Sequence, residues 1–132
     1  MKQMSSILSV LTLLAFVICT PQQESLEMKK LELRQRLDDT LLEIDQQIEN
    51  VVLDTARLAP GEYEDQLVQY KHQLESLRDS VLHKIERVEN VSASQWPAFT
   101  EQVDSTEVHV KQVLEQIRDE LQTLTQRYTL PS

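Results

Sequence analysis

The chain of 132 residues has one cysteine, one glycine, four prolines and one tryptophan. A lone cysteine excludes an internal disulfide framework and any multi-cysteine zinc or iron–sulfur site. So few glycines leave little material for the tight turns of a sheet protein. Basic side chains are also scarce, 13 against 22 acidic ones, for a formal net charge of -9. That balance argues against sequence-independent nucleic-acid binding, which needs a basic footprint. Neither a glycine-rich phosphate loop nor a Gly-x-Ser-x-Gly elbow occurs. The length fits one domain.

What is present begins with an apolar run. Lys2 is the only charged residue before Glu24, and Ile7 to Ile18 is interrupted only by Ser9 and Thr12. The run has the length of a signal-peptide core and is short of a bilayer span. Residues 1–19 are therefore expected to form an export leader, with the domain proper over 20–132. Cys19 ends the run in a way that resembles a bacterial lipoprotein signal, in which such a cysteine becomes the lipid-bearing first residue. Ile18 departs from that pattern, which favours a small residue there. Two alternatives stand beside the lipidated Cys19: plain secretion with cleavage before Thr20, and an uncleaved anchor.

The remainder is written in heptads. Leu37, Leu41, Ile44, Ile48, Val51, Thr55 and Leu58 step by four and three in alternation, one seam of a helix expected over 22–58. Leu42, Val52 and Leu53 widen the stripe, which suits a helix that touches two neighbours. Thr20 and Gln23 fit a capping box around Pro21. Ala59-Pro60-Gly61 breaks the pattern, with Gly61 suited to the backbone angles of a helix stop. A second helix over 62–90 carries Tyr63, Leu67, Tyr70, Leu74, Leu77, Val81, Ile85 and Val88. After the polar turn Asn90–Ser94, a third over 95–128 carries Phe99, Val103, Val110, Leu114, Ile117, Leu121, Leu124 and Tyr128, with Ser94 as its N-cap. Matched lengths and short links predict an all-α, elongated, up-down-up antiparallel three-helix bundle with coiled-coil-like packing.

Chemistry-bearing clusters are sparse. His72 and His83 share a helix face but stand about 16 Å apart, too far for one metal ion. Asp79, His83 and Glu86 form a weak i, i+4, i+7 combination of the kind that arises by chance on a solvated helix. His109 lies between Val108 and Val110 with no ligand cluster beside it. Asp38-Asp39 and Asp119-Glu120 are expected to be hydrated, and none stands out as a general acid. The expectation is no catalytic site, no cofactor and no metal. Trp96, with Phe99, is read as a packing staple at a helix entrance, and as a candidate partner contact otherwise. Asn90-Val91-Ser92 matches the short glycosylation sequon, which has meaning only in a eukaryotic secretory route.

The pattern Leu37 to Leu58, the Pro60-Gly61 break with Tyr63, Leu67 and Leu74, and Trp96 with Phe99 resembles small exported bacterial coiled-coil proteins of uncharacterised function. That resemblance implies a helical architecture and an envelope location, and supplies no catalytic residue. Spy-like periplasmic chaperones share the helical build, but Leu124-Thr125-Gln126-Arg127 does not meet their Leu-Thr-x-x-Gln motif and the surface here is acidic. Exchangeable apolipoproteins show proline-punctuated repeats that are not visible here. The functional expectation is a non-enzymatic cell-envelope interaction or scaffold protein. It would work by helix contacts with a protein partner or by self-association, with no nucleic acid and with lipid anchoring through Cys19 as one option. The alternatives are an exported lipid- or apolar-ligand-binding bundle and a chaperone-like periplasmic protein.

Overall fold

A computed structural model describes the backbone of residues 2–58, 61 and 63–128, and the side chains of those from residue 25 onward. Three helices make up the chain: α1 (Lys2–Arg57), α2 (Glu64–Val88) and α3 (Trp96–Tyr128). No strand occurs among the described residues. The expected start of the first helix near residue 22 is corrected, because α1 already begins at Lys2 and continues through Pro21. Once a helix is nucleated each further residue adds one hydrogen bond, and the apolar run lacks glycine, so propagation prevails over the proline's missing donor. Two compact units divide the chain, residues 1–33 and residues 34–132. The first is helical from Lys2 on, and Met28 and Leu31 within it are exposed.

The second unit is an all-α three-helix bundle. Arg34 pairs with Glu89 and Asp45 with Arg78, so a step of eleven up α1 matches a step of eleven back down α2. These helices are antiparallel. Arg36 meets Asp104 and Glu107, while Gln47 to Arg57 share a cleft with Arg118 to Thr125, so α1 and α3 run parallel. At its opposite ends α2 meets α3 through Tyr63 on Tyr128 (ring centroids 5.0 Å apart) and Arg87 over Phe99 (5.4 Å). The expected up-down-up order is what these pairs describe.

Core positions follow the heptads, with one rotation. Leu37, Ile44, Val51 and Leu58 are buried at intervals of seven along α1. Their neighbours on one flank, Leu41 and Ile48, are only partly covered, and Thr55 is exposed. On the other flank Gln47 is buried, 4% exposed, with Thr40 and Asp54 partly covered. The α1 seam is thus turned from the expected 41/48/55 edge toward the polar 40/47/54 edge. The reason is geometric, since a helix touching two neighbours buries both flanks of its central row. Leu42, Val52 and Leu53, expected to widen the buried stripe, are instead more than half exposed.

Two local expectations also change. The serine that caps the turn leading into α3 is Ser92, not Ser94: the Gln95 backbone N–H donates to Ser92 Oγ (3.3 Å), and the Ser92 N–H donates to Gln95 Oε1 (3.4 Å). This reciprocal pair is a capping box, which satisfies two otherwise orphaned donors. The expected stop at Gly61 adjoins Pro60, which lies outside the described residues. Helix α1 stops instead in a tightened turn, where the Leu58 N–H donates to the Thr55 carbonyl at 3.2 Å.

Candidate functional site

Three furrows run between the three helices of the bundle, and their chemistry differs. The α1–α2 furrow, about 410 Å³, is lined by Val51, Val52, Leu58, Tyr63, Leu67 and Val68, with Thr55, Glu64 and Lys71 at its edges. Val52 is 54% and Val68 53% exposed, so apolar surface stays open along this furrow. Lys71 makes no ion pair among the described residues. The furrow follows from the rotated seam. With α1 turned toward α3, its apolar α2-facing flank is incompletely covered.

The α1–α3 furrow carries most of the polar and charged lining residues. Its upper part, about 410 Å³, is lined by Gln47, Asn50, Asp54 and Arg57 from α1 and by Arg118, Leu121, Gln122 and Thr125 from α3. Its lower part, about 170 Å³, surrounds the only polar interruption of the α3 stripe. Between Val103 and Val110 that stripe offers Thr106 and Glu107, both partly covered. Arg36 Nη2 answers by donating to Glu107 Oε2 at 2.7 Å and to Asp104 Oδ1 at 3.0 Å. The hydrogen bonds to Glu107 and then Asp104 hold the Arg36 pKa above its ordinary value. Glu107 Oε1 is buried without a hydrogen-bond partner.

In the α2–α3 furrow, about 380 Å³, His72 and His109 line one recess together with Gln73, Ser76, Leu77 and Val113. The fold so sets on one recess two histidines that sequence spacing treats as isolated. Because α2 and α3 are antiparallel, with Tyr63 at Tyr128 and Arg87 at Phe99, His72 and His109 stand several residues apart along the axis. Among the described residues no group of three histidine, cysteine, aspartate or glutamate side chains is placed to hold a metal ion. His83 is exposed on α2 with Asp79 and Glu86.

The aromatic pair at the α3 entrance is a packing feature. Trp96 and Phe99 have ring centroids 6.2 Å apart, and Phe99 is 3% exposed beneath Arg87. Burial removes Phe99 as an open partner contact, and Trp96 keeps a partly exposed ring. The Cys19 side chain, the expected lipidation site, lies outside the described residues, as do the side chains of the leader. Among the described residues no helix is long and apolar enough to cross a membrane.

Sequence reasoning missed Gln47, Arg36 with Glu107, and the Arg57–Arg118 cleft. The signal for the first two was a polar residue standing at a core register position. Comparison with protein-family models, with curated proteins and with solved structures returned no match. The likeness to small exported bacterial coiled-coil proteins has no support from these comparisons.

Proposed function

We propose that this chain is a non-enzymatic interaction or scaffold protein of the cell envelope, exported by its N-terminal segment and acting through helix-on-helix contacts. The supporting observation is the α1–α2 furrow, where Val52 and Val68 remain half open beside buried Val51, Leu58 and Leu67. A partner helix laid along it would cover those side chains with anchors at i, i+3 or i+4.

Photo-crosslinking residues placed at Val52 and Val68 in the exporting cell test this reading, with Val108, exposed on α3, as the control position. A defined protein adduct from both furrow positions and none from position 108, lost on Val68→Asp at the other site, is the expected result. Equal labelling at all three positions refutes it. One observation favours a second reading, an apolar ligand with an anionic head: unpaired Lys71 sits at the edge of the same apolar furrow. Liposome flotation separates the two, because strong binding to neutral vesicles supports the lipid reading against the helical partner.

A further inference from the structure

Among the described residues, the upper α1–α3 cleft gathers two arginines with no ion pair. Arg57 and Arg118 both line it, and neither makes an ion pair or side-chain hydrogen bond among the described residues. Arg34, Arg36 and Arg78, by contrast, are each engaged by carboxylates. Glu115 and Asp119 flank Arg118 in sequence but are exposed and do not line the cleft. Between the arginines lie three amide side chains, Gln47, Asn50 and Gln122. Gln47 is 4% exposed, and its amide lies at the wall of the cleft. An amide at the wall of a cleft can both donate to and accept from a ligand that enters it.

Spacing narrows the ligand. Arg36 lies beside Asp104 and Glu107, so in this parallel pair Arg118 stands level with the turn between Gln47 and Asn50. Arg57 then lies about seven to ten residues higher, roughly 10–15 Å at 1.5 Å per residue. Long side chains lean toward the N-terminus of their own helix, so on parallel helices both arginines lean the same way and keep this separation. One small anion cannot meet both guanidinium groups. An extended peptide can: residues i and i+4 of a strand project to the same side and lie roughly 13 Å apart. Its backbone N–H and C=O groups match the amides between, which both donate and accept. Asp54, in the middle of the cleft, repels a third acidic residue and accepts from a peptide N–H.

We propose that the α1–α3 cleft binds an extended peptide segment with carboxylates four residues apart, held at its ends by Arg57 and Arg118 and along its backbone by Gln47, Asn50 and Gln122. This site is separate from the apolar α1–α2 furrow and stands or falls independently of it. Arginine meets each carboxylate with a planar fork of donors, the geometry that makes such pairs strong and directional.

Titration of the full chain, isotope-labelled for amide NMR, with the peptide acetyl-Glu-Ser-Ala-Ser-Glu-amide tests it. The side-chain amide signals of Gln47, Asn50 and Gln122 should shift together. Arg57→Gln or Arg118→Gln should each weaken binding by roughly tenfold to a hundredfold. Acetyl-Gln-Ser-Ala-Ser-Gln-amide, and a peptide with its two glutamates only two residues apart, should bind far more weakly. Gln47→Leu should weaken binding without lowering the melting temperature, which separates a ligand contact from a structural one. Equal affinity for the glutamine peptide, indifference to both arginine substitutions, or the same amide shifts from inorganic phosphate at lower concentration would overturn the assignment.

Discussion

The rotation of α1 makes a quantitative prediction about three adjacent side chains. If the expected seam held, Ile44 and Ile48 would be equivalent core positions. In the structure Ile44 is fully buried, Ile48 is only partly covered, and Gln47 on the opposite flank is buried in its place. Ile44→Ala removes three buried carbons and leaves a cavity, at a cost of about 3–4 kcal/mol. Ile48→Ala removes the same atoms from a partly wet site and costs about 1–2 kcal/mol. Gln47→Leu replaces a polar residue at a buried position by an apolar group of similar volume, and should leave stability unchanged or raise it by up to about 1 kcal/mol. At about 4 °C per kcal/mol for a unit of this size, Ile44→Ala lowers Tm by ~12–16 °C and Ile48→Ala by ~4–8 °C. Thermal and urea unfolding followed by circular dichroism at 222 nm measure all three. Equal losses at 44 and 48, or a clear loss for Gln47→Leu, would refute the rotated packing.

Two further predictions follow from named contacts. Ser92→Ala removes the side chain that accepts from the Gln95 N–H and should cost about 1 kcal/mol, whereas Ser94→Ala should be nearly silent in the same unfolding assay. Alkaline pH should destabilise the bundle through Tyr70. Burial, and then the hydrogen bond that its hydroxyl donates to Glu120, push the Tyr70 pKa upward, and burial does the same to Tyr63. The unfolded chain releases these protons first, near pH 10, so the stability they confer is complete below that value and is lost as pH rises toward the folded pKa. Tyr70→Phe should flatten the fall in Tm above pH 10, and an unaltered slope would count against the burial of that hydroxyl.

Heptad spacing made the three helices legible, because apolar residues at threes and fours admit no other regular structure over such lengths. Composition also placed the link between α1 and α2, where proline and glycine stand together. The rotation was not legible. Around the row Leu37, Ile44, Val51 and Leu58, the flanks 41/48/55 and 40/47/54 are geometrically equivalent, and hydropathy alone selects the first. Only the partners decide: Arg36 reaching Glu107 and Asp104 draws the polar flank toward α3. Ser94 lies nearer the first apolar residue, but the capping box requires a glutamine or glutamate three positions on, and Gln95 answers only Ser92. The arginine cleft has no local sequence signature, since Arg57 and Arg118 meet only through the parallel pairing of α1 and α3.

That same turn of α1 decides which furrow does what. Placing Gln47 and Asp54 toward α3 gives the α1–α3 furrow its amides and carboxylate, and leaves Val52 on the opposite flank half exposed toward α2. A helix bundle whose central helix buried its most apolar flank would have sealed the α1–α2 furrow and left Gln47 in water. The observed packing gives up part of that hydrophobic burial and withdraws an amide instead, a combination that a fold selected for stability alone has no reason to keep. Gln47→Leu therefore bears on both questions at once. If it raises stability and also abolishes recognition of the acidic peptide, residue 47 is held polar for binding, and the open apolar flank is a consequence of the same choice.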